Sequence, residues 1–550
     1  MPTISFNKKE FEKNLGKKFD LNYLKDRISM LGTDLEGISD NEIQVEIFPN
    51  RPDMLSMQGF TRAFSSFVGI KKGLIDYKIN DSKEKVIIDD SVKNIRPYTA
   101  CVIVKSLKLD DEKIKEIIQM QEKLHVTYGR NRKKVAIGIY PIEKIKFPIT
   151  YKAIDKEKIK FRPLESDKEM TAKEILEKHT AGIEYKKLLD GFNKYPVFID
   201  ANNKIMSMPP IINSFETGRV TTKTKEIFIE CSGNDFEVLS KCLNMIACAF
   251  YDIGAKIYSI DLMYKNKITK SPNLKPKKMK LDINYINRIL GLNLSELKIK
   301  ECLEKMGYGY KNKEVLIPCF RADILHMVDL IEDIAIAYGY ENFKAIIPKV
   351  ASVAKENEFE IFKKQIIEIF IGLRYLQLNC FHLSSNEKQN KLMNTKKELI
   401  ELSNSISNDF NVLQSWLTPN LVDTFKSNKH YDYPQKIFLI AKVFSKDENK
   451  ETGVFENFNL ALASSNENAN YTEIKQVLDY LFNSLNLEYE IKEKEFDFLI
   501  KGRSASIVVN KKEIGFLGEL SPEVITNWNL IMPCCLFELN LEELFKQIKK

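Results

Sequence analysis

The chain has 550 residues, 44% of them hydrophobic and 29% charged, with a formal net charge of +8. That is several domains' worth of an ordinary soluble composition, and the small positive balance permits nucleic-acid contact without demanding it. No run approaches the roughly 18 uncharged apolar residues needed to span a bilayer. The N-terminal "MPTISFNKKEFEKNLGKKF" lacks the apolar core of a secretory signal, and the nine cysteines form no CxxC pair. The expectation is a cytoplasmic protein with neither a zinc site nor a disulfide framework.

In chain order, residues 1–78 read as an N-terminal α/β unit. "NEIQVEIFPNRPDMLSMQGFTRAFSSFVGI" predicts a strand, an Asn-Arg-Pro-Asp turn and a helix with Met57, Phe60, Phe64 and Phe67 on one face. The polar "NDSKEK" at 80–85 reads as a linker. From 87 to 262 short β-rich runs ("YTACVIVKSLKL", "VAIGIY", "EIFIECSG") alternate with helices ("EKIKEIIQMQEKLHVTYG", "FEVLSKCLNMIACAFYDIG"), a mixed α/β domain. The Lys- and Pro-rich 266–280 reads as a second linker. The next unit, 270–347, predicts helix, turn, helix and strand, with Asn293 and Ser295 as rival N-caps, and resembles small winged-helix folds. Residues 355–550 carry helices and antiparallel strands ("KIFLIAKVF", "FNLALASS", "ASIVVN", "CCLFELNL"). The expected fold class is therefore α+β and multidomain.

The most unusual stretch is "RADILHMVDLIEDIAIAYGY" at 321–340, which sets four carboxylates among apolar residues. With a helix starting near His326, Asp329, Glu332 and Asp333 share one face, and Asp323 folds back over the first turn. Two explanations stand side by side. Acidic residues favour a helix N-terminus by ~0.3–1 kcal/mol each, but one or two suffice for that. Alternatively, a hard cation such as Mg²⁺ is held by a few carboxylates and waters.

Several collinear stretches together resemble one family: "FPNRPDMLSMQGFTRA", "MQEKLHVTYGRNRKKVAIGIY", "SMPPIINS", "INRILGLNLS", "FRADILHMVDLIEDIAIAYGY" and "GELSPEVI". The chain resembles the β subunits of phenylalanyl-tRNA synthetase in their shorter, archaeal and eukaryotic form. The resemblance implies an (αβ)₂ heterotetramer that attaches phenylalanine to tRNA-Phe, with ATP and phenylalanine bound by the α subunit. It implies a hydrolytic editing site in 87–262, a catalytic-like but inactive class II synthetase domain in 355–550, and Mg²⁺ on Asp323, Asp329, Glu332 and Asp333 beside the α subunit.

Missing chemistry agrees with an accessory role. A class II active site grips ATP with arginines because triphosphate and transition state are anionic. "PQKIFLIAKVF" at 434–444 offers only Lys436, "EIGFLGELSPEVI" is followed by no Arg, and no P-loop or dinucleotide fingerprint occurs.

For editing, an apolar pocket rejects an added hydroxyl only ~10²-fold, so tyrosine must be removed at a second, hydroxyl-binding site. "SMPPIINSFETGRVTTKTKEIFIECSGND" supplies the ingredients: Asn213, Ser214 and Asp235 are the candidates, with Thr217 and Thr221 behind them. Each has a bland alternative, since Asn213 and Ser214 can cap a turn and Asp235 can cap the helix that starts at Phe236. His125 is the one histidine near this region, and packing or capping explains it as well as catalysis. "GRNRKK" gives Arg130, Arg132, Lys133 and Lys134, either a solvated charge run or, as the resemblance implies, contacts to tRNA acceptor-end phosphates. Two departures from the family pattern fall in or near this domain: Tyr140-Pro141 where relatives carry His-Asp, and Phe215 and Gly218 where polar or basic residues are usual.

Two competing readings carry less. A non-catalytic nucleic-acid-binding scaffold needs a recognition helix with Arg, Asn or Gln on one face, and "ELKIKECLEKM" is mixed in charge. A metal-dependent phosphoryl-transfer enzyme needs further Asp or His ligands on other strands, and none lies near the acidic segment.

Overall fold

A computed structural model describes residues 2–39 and 41–549. The chain divides into two compact units, Met1–Ile347 and Pro348–Lys550.

The first unit opens with a three-stranded antiparallel sheet, Thr3–Asn7 beside Glu42–Glu46 beside Asp34–Ile38. Ile4 faces Val45 and Phe6 faces Ile43 across the ladder, and all four are buried. The helix Met57–Phe67 packs its predicted stripe (Met57, Phe60, Phe64, Phe67) into this core.

A ten-stranded mixed sheet follows. From the middle to one edge it runs Ile79–Ile88, Lys256–Tyr264, Tyr98–Lys105, Ile227–Gly233 and Val135–Pro141, in that spatial order. The expected linker at 80–85 is thus an interior strand, parallel both to Lys256–Tyr264 and to Ile149–Asp155. Its charged side chains face outward while its backbone pairs with Lys256–Tyr264 and, at residues 86–88, also with Ile149–Asp155, so composition concealed it. The second expected linker also resolves into strands. Lys267–Ser271 forms a hairpin with Lys256–Tyr264, and Lys277–Lys280 pairs with Glu314–Ile317.

One sheet face, carrying Val102, Ile137, Ile229 and Cys231, is covered by helices Asp111–Val126 and Phe236–Asp252. The other buries Cys101, Ile103, Tyr140 and Phe228. Residues 277–338 add a three-stranded sheet and helices Ile283–Leu290, Glu296–Lys305 and Met327–Tyr338. Ser295 rather than Asn293 caps the second, accepting from Lys298 N at 3.3 Å. Leu303, Ile331 and Ile334 join the same apolar cluster as Ile4, Phe60 and Leu243. This cluster thus joins residues of the N-terminal unit, of the large sheet with its helices, and of 277–338.

The second unit is a seven-stranded sheet, antiparallel except for the edge pairing of Leu376–Gln377 with Gln435–Lys446. Alternation explains its continuous apolar strands. Phe438 points to the cluster of helices Glu358–Gly372 and Tyr471–Ser484, whereas Ile437 and Leu439 point to the cluster of Thr418–Ser427 and Trp528. Both faces are covered, so both must be apolar.

Candidate functional site

Two of the four carboxylates, Asp323 and Asp333, share one internal cation, Arg321. Arg321 forks onto Asp323 through Nε (2.8 Å) and Nη2 (2.6 Å). Its Nη1 pairs with Asp333 at 2.8 Å, without hydrogen-bond alignment. Tyr308 also donates its hydroxyl to Asp333. A matching Arg-x-Asp fork, Arg51 to Asp53 at 2.9 Å on both arms, lies within electrostatic reach of Arg321. Burial pushes the Asp53 carboxyl up, but Arg51 overrides it and holds the group below its ordinary range. Asp329 turns to the helix start instead, accepting from Leu325 N and His326 N, both at 2.7 Å. Glu332 is exposed.

The expected magnesium set of Asp323, Asp329, Glu332 and Asp333 thus does not assemble. A guanidinium already occupies the space between Asp323 and Asp333, and a third carboxylate is committed to backbone N–H groups. Among the described residues, no group of three or more His, Cys, Asp or Glu side chains could hold a metal ion.

The second site is a cavity of about 380 Å³. It lies between helix Asp111–Val126, the strand Val135–Pro141 and the loop Pro209–Asn213, and its lining includes Ile118, Arg132, Pro210, Asn213 and Glu230. Glu230 is the residue that sequence reasoning missed. In the strand "IFIECSG" it alternates with apolar neighbours, on the same face as Phe228 and only 2% exposed. A carboxyl at an inward position of a fully buried strand is the signal that could have found it. Burial raises its pKa to about 8, against the pull of Arg96, so the group is mostly neutral at pH 7. Its Oε2 is buried and has no partner. Its Oε1 lies 3.3 Å from the Tyr140 hydroxyl, which is also 3.2 Å from Asn213 Oδ1.

Of the predicted residues, Asn213 reaches this cluster. Ser214 is adjacent and buried, its N–H bonded to Met206 O at 2.8 Å. Asp235 does not join them: it is the exposed N-cap of Phe236–Asp252, accepting from Glu237 N (2.9 Å) and Val238 N (3.2 Å). Thr217 is 3.4 Å from Met206 O, and Thr221 N bonds Thr224 Oγ1; neither lines the cavity.

His125 lines the cavity with both nitrogens committed. Ile137 N–H donates to Nε2 at 2.7 Å, which leaves the proton on Nδ1, 3.1 Å from Glu122. Burial, partly offset by Glu122, keeps its pKa low. No lone pair remains for base catalysis. His179 is similarly spent, between Leu164 O and Ala181 N.

The basic turn splits in two. Arg130, Lys133 and Lys134 are exposed. Arg132 folds inward, donating to Ile211 O at 2.6 Å and stacking on Tyr185 at 4.3 Å. Three successive left-handed residues, Arg130, Asn131 and Arg132, make the turn, and Arg96 secures it through Arg132 O. Arg132 is thus a clamp on the Pro209–Asn213 loop.

In the second unit the only arginines of residues 355–550 are Arg374 and Arg503. Arg503 pairs with Glu519 at 2.9 Å, and Lys436 leans on Glu473 at 3.5 Å. A cavity of about 290 Å³ over this sheet contains Glu538, whose carboxylate is already saturated by Leu417 N, Thr418 N, the Thr418 hydroxyl and Asn459. Lys397, stacked over the Trp416 ring at 4.7 Å, is the one basic residue in its lining among the described residues.

Comparison with known proteins places these features in context. The family described as "Phenylalanyl tRNA synthetase beta chain CLM domain" matches residues 344–541, and "tRNA synthetase B5 domain" matches 279–340. The phenylalanine–tRNA ligase beta subunit of Pyrococcus abyssi is 37% identical over 556 residues, 99% of this chain and 100% of that one. Its counterpart from Archaeoglobus fulgidus is 36% identical over 99% of both. The crystal structure of an N-terminal fragment of the phenylalanyl-tRNA synthetase beta subunit from Pyrococcus horikoshii superposes with a TM-score of 0.59. It is 39% identical and covers 61% of this chain and 99% of the fragment.

Proposed function

Because the chain belongs to the family of phenylalanine–tRNA ligase β subunits, we propose that it is the accessory half of an (αβ)₂ cytoplasmic enzyme that charges tRNA-Phe. ATP and phenylalanine bind the α subunit; this chain contributes tRNA contacts and a proofreading site. The scarcity of arginine in 355–550 supports the division of labour, since the class II-like sheet lacks groups to grip a triphosphate. Val328 and Glu332, exposed on the acidic helix, and Leu325, exposed just before it, are suited to an α-subunit contact.

The observation that carries the proofreading reading is the neutral carboxyl of Glu230 in the wall of a cavity large enough for an aromatic side chain. A mischarged tyrosine donates its hydroxyl to that carboxyl. Phenylalanine leaves it unsatisfied, and a site built to bind a hydroxyl disfavours the analogue lacking one. With His125 and His179 spent, hydrolysis relies on a water positioned at the ester, assisted by the tRNA's ribose hydroxyl. Arg130, Lys133 and Lys134 supply sequence-independent contacts to the acceptor-end phosphates.

The test is deacylation of preformed Tyr-tRNA-Phe by the assembled αβ complex. Wild type should release tyrosine and the Glu230→Ala complex should do so at least tenfold more slowly, with phenylalanine charging unchanged. Equal release by both would refute the assignment.

A further inference from the structure

Tyr140 stands behind the wall of the Glu230 cavity: it is fully buried and not among the lining residues. Its hydroxyl meets two acceptors, Asn213 Oδ1 at 3.2 Å and Glu230 Oε1 at 3.3 Å, with one proton to give. Burial holds the phenol well above its ordinary pKa, so that proton stays. The second contact needs a proton from the partner. An amide oxygen has none, so it comes from the neutral carboxyl of Glu230. Glu230 O–H then donates to the Tyr140 oxygen, and Tyr140 O–H donates to Asn213 Oδ1. Only Glu230 Oε2 is left over, and it is the atom without a protein partner.

The crossing depends on a missing side chain. Gly138 lies opposite Glu230 in the ladder. A Cβ there would fall 2.3 Å from the Tyr140 hydroxyl and 2.5 Å from Glu230 Oε1.

We propose that Tyr140 is a specificity-determining positioning residue: its hydroxyl holds the Glu230 carboxyl in place at the cavity wall and so sets the preference for a hydroxylated ring over a bare one. The inference rests on the proofreading reading above.

The experiment uses the αβ complex and measures deacylation of Tyr-tRNA-Phe and Phe-tRNA-Phe for wild type, Tyr140→Phe, Glu230→Ala and the double variant. Tyr140→Phe keeps the ring and removes only the oxygen. It should lower the tyrosine-to-phenylalanine rate ratio roughly tenfold, as expected for one lost hydrogen bond. In the Glu230→Ala background it should change the ratio less than twofold, because it acts through Glu230. A merely structural role would give the same loss in both backgrounds and would overturn the inference.

A complex sensitive to Glu230→Ala but indifferent to Tyr140→Phe refutes this inference alone. A wild-type complex that hydrolyses neither ester refutes the proofreading reading and this inference together.

Discussion

Replacing Arg321 by alanine removes the cation shared by Asp323 and Asp333. The side chains of all three are between 2% and 12% exposed, so two carboxylates are left in a poorly solvated space, with the Tyr308 hydroxyl on Asp333 and Arg51 within electrostatic reach of Asp323. Breaking one side of a buried pair costs about 3–5 kcal/mol, much of it the penalty of the stranded charge. With about 2.1 cal/mol/K of unfolding entropy per residue, the 347-residue unit that contains the cluster carries roughly 0.7 kcal/mol/K. Its melting temperature should therefore fall by about 4–7 °C. Differential scanning calorimetry of the full chain with and without EDTA reads both the variant and the metal question. Wild type should melt at the same temperature in either buffer, because Arg321 already balances the carboxylates. A variant shift below 1 °C, or a wild-type loss of several degrees in EDTA, would show that the charge is met otherwise.

Other outcomes follow from the same geometry. The raised pKa of Glu230, about 8 against roughly 4.3 unfolded, means the folded state retains a proton that the unfolded chain has lost. Stability from this group is therefore full below about pH 4 and declines by roughly 1.4 kcal/mol per unit up to about pH 8. Glu230→Gln, neutral throughout, should flatten that slope in urea titrations across the window. Asp235→Ala should cost about 1 kcal/mol as a lost helix cap while leaving tyrosine release at the wild-type rate; a large loss of release would bring Asp235 back into the site. Neutralising Arg130, Lys133 and Lys134 together should reduce the salt-dependence slope of tRNA binding by about two. Arg132→Ala should instead lower stability, since its contacts are internal.

The two sites differ in what their sequence discloses. The acidic helix advertised its charge, and Arg321, two residues before Asp323, was in plain view. What it did not show was Arg321 reaching Asp333 across the helix start, which depends on how the segment after Ile317 turns. The repeated Arg-x-Asp spacing at 51–53 and 321–323 was the readable clue. Asn213 was found from its loop, but the hydroxyl that organises it is 73 residues away and Glu230 is 90 from Tyr140. Strand order brings these together, and periodicity is silent about order. Asp235 was ambiguous because a carboxylate before an apolar helix serves as a cap or as a site equally well on paper, and the cap prevailed. The strand Ile79–Ile88 was hidden because ladder hydrogen bonds belong to the backbone, whereas composition reports only side chains.

The central claim is tested most directly by purifying this chain alone, its α partner alone, and the two co-expressed, then measuring phenylalanine attachment to tRNA-Phe. The pair should charge tRNA and neither chain should do so by itself. Charging by this chain alone would contradict the account.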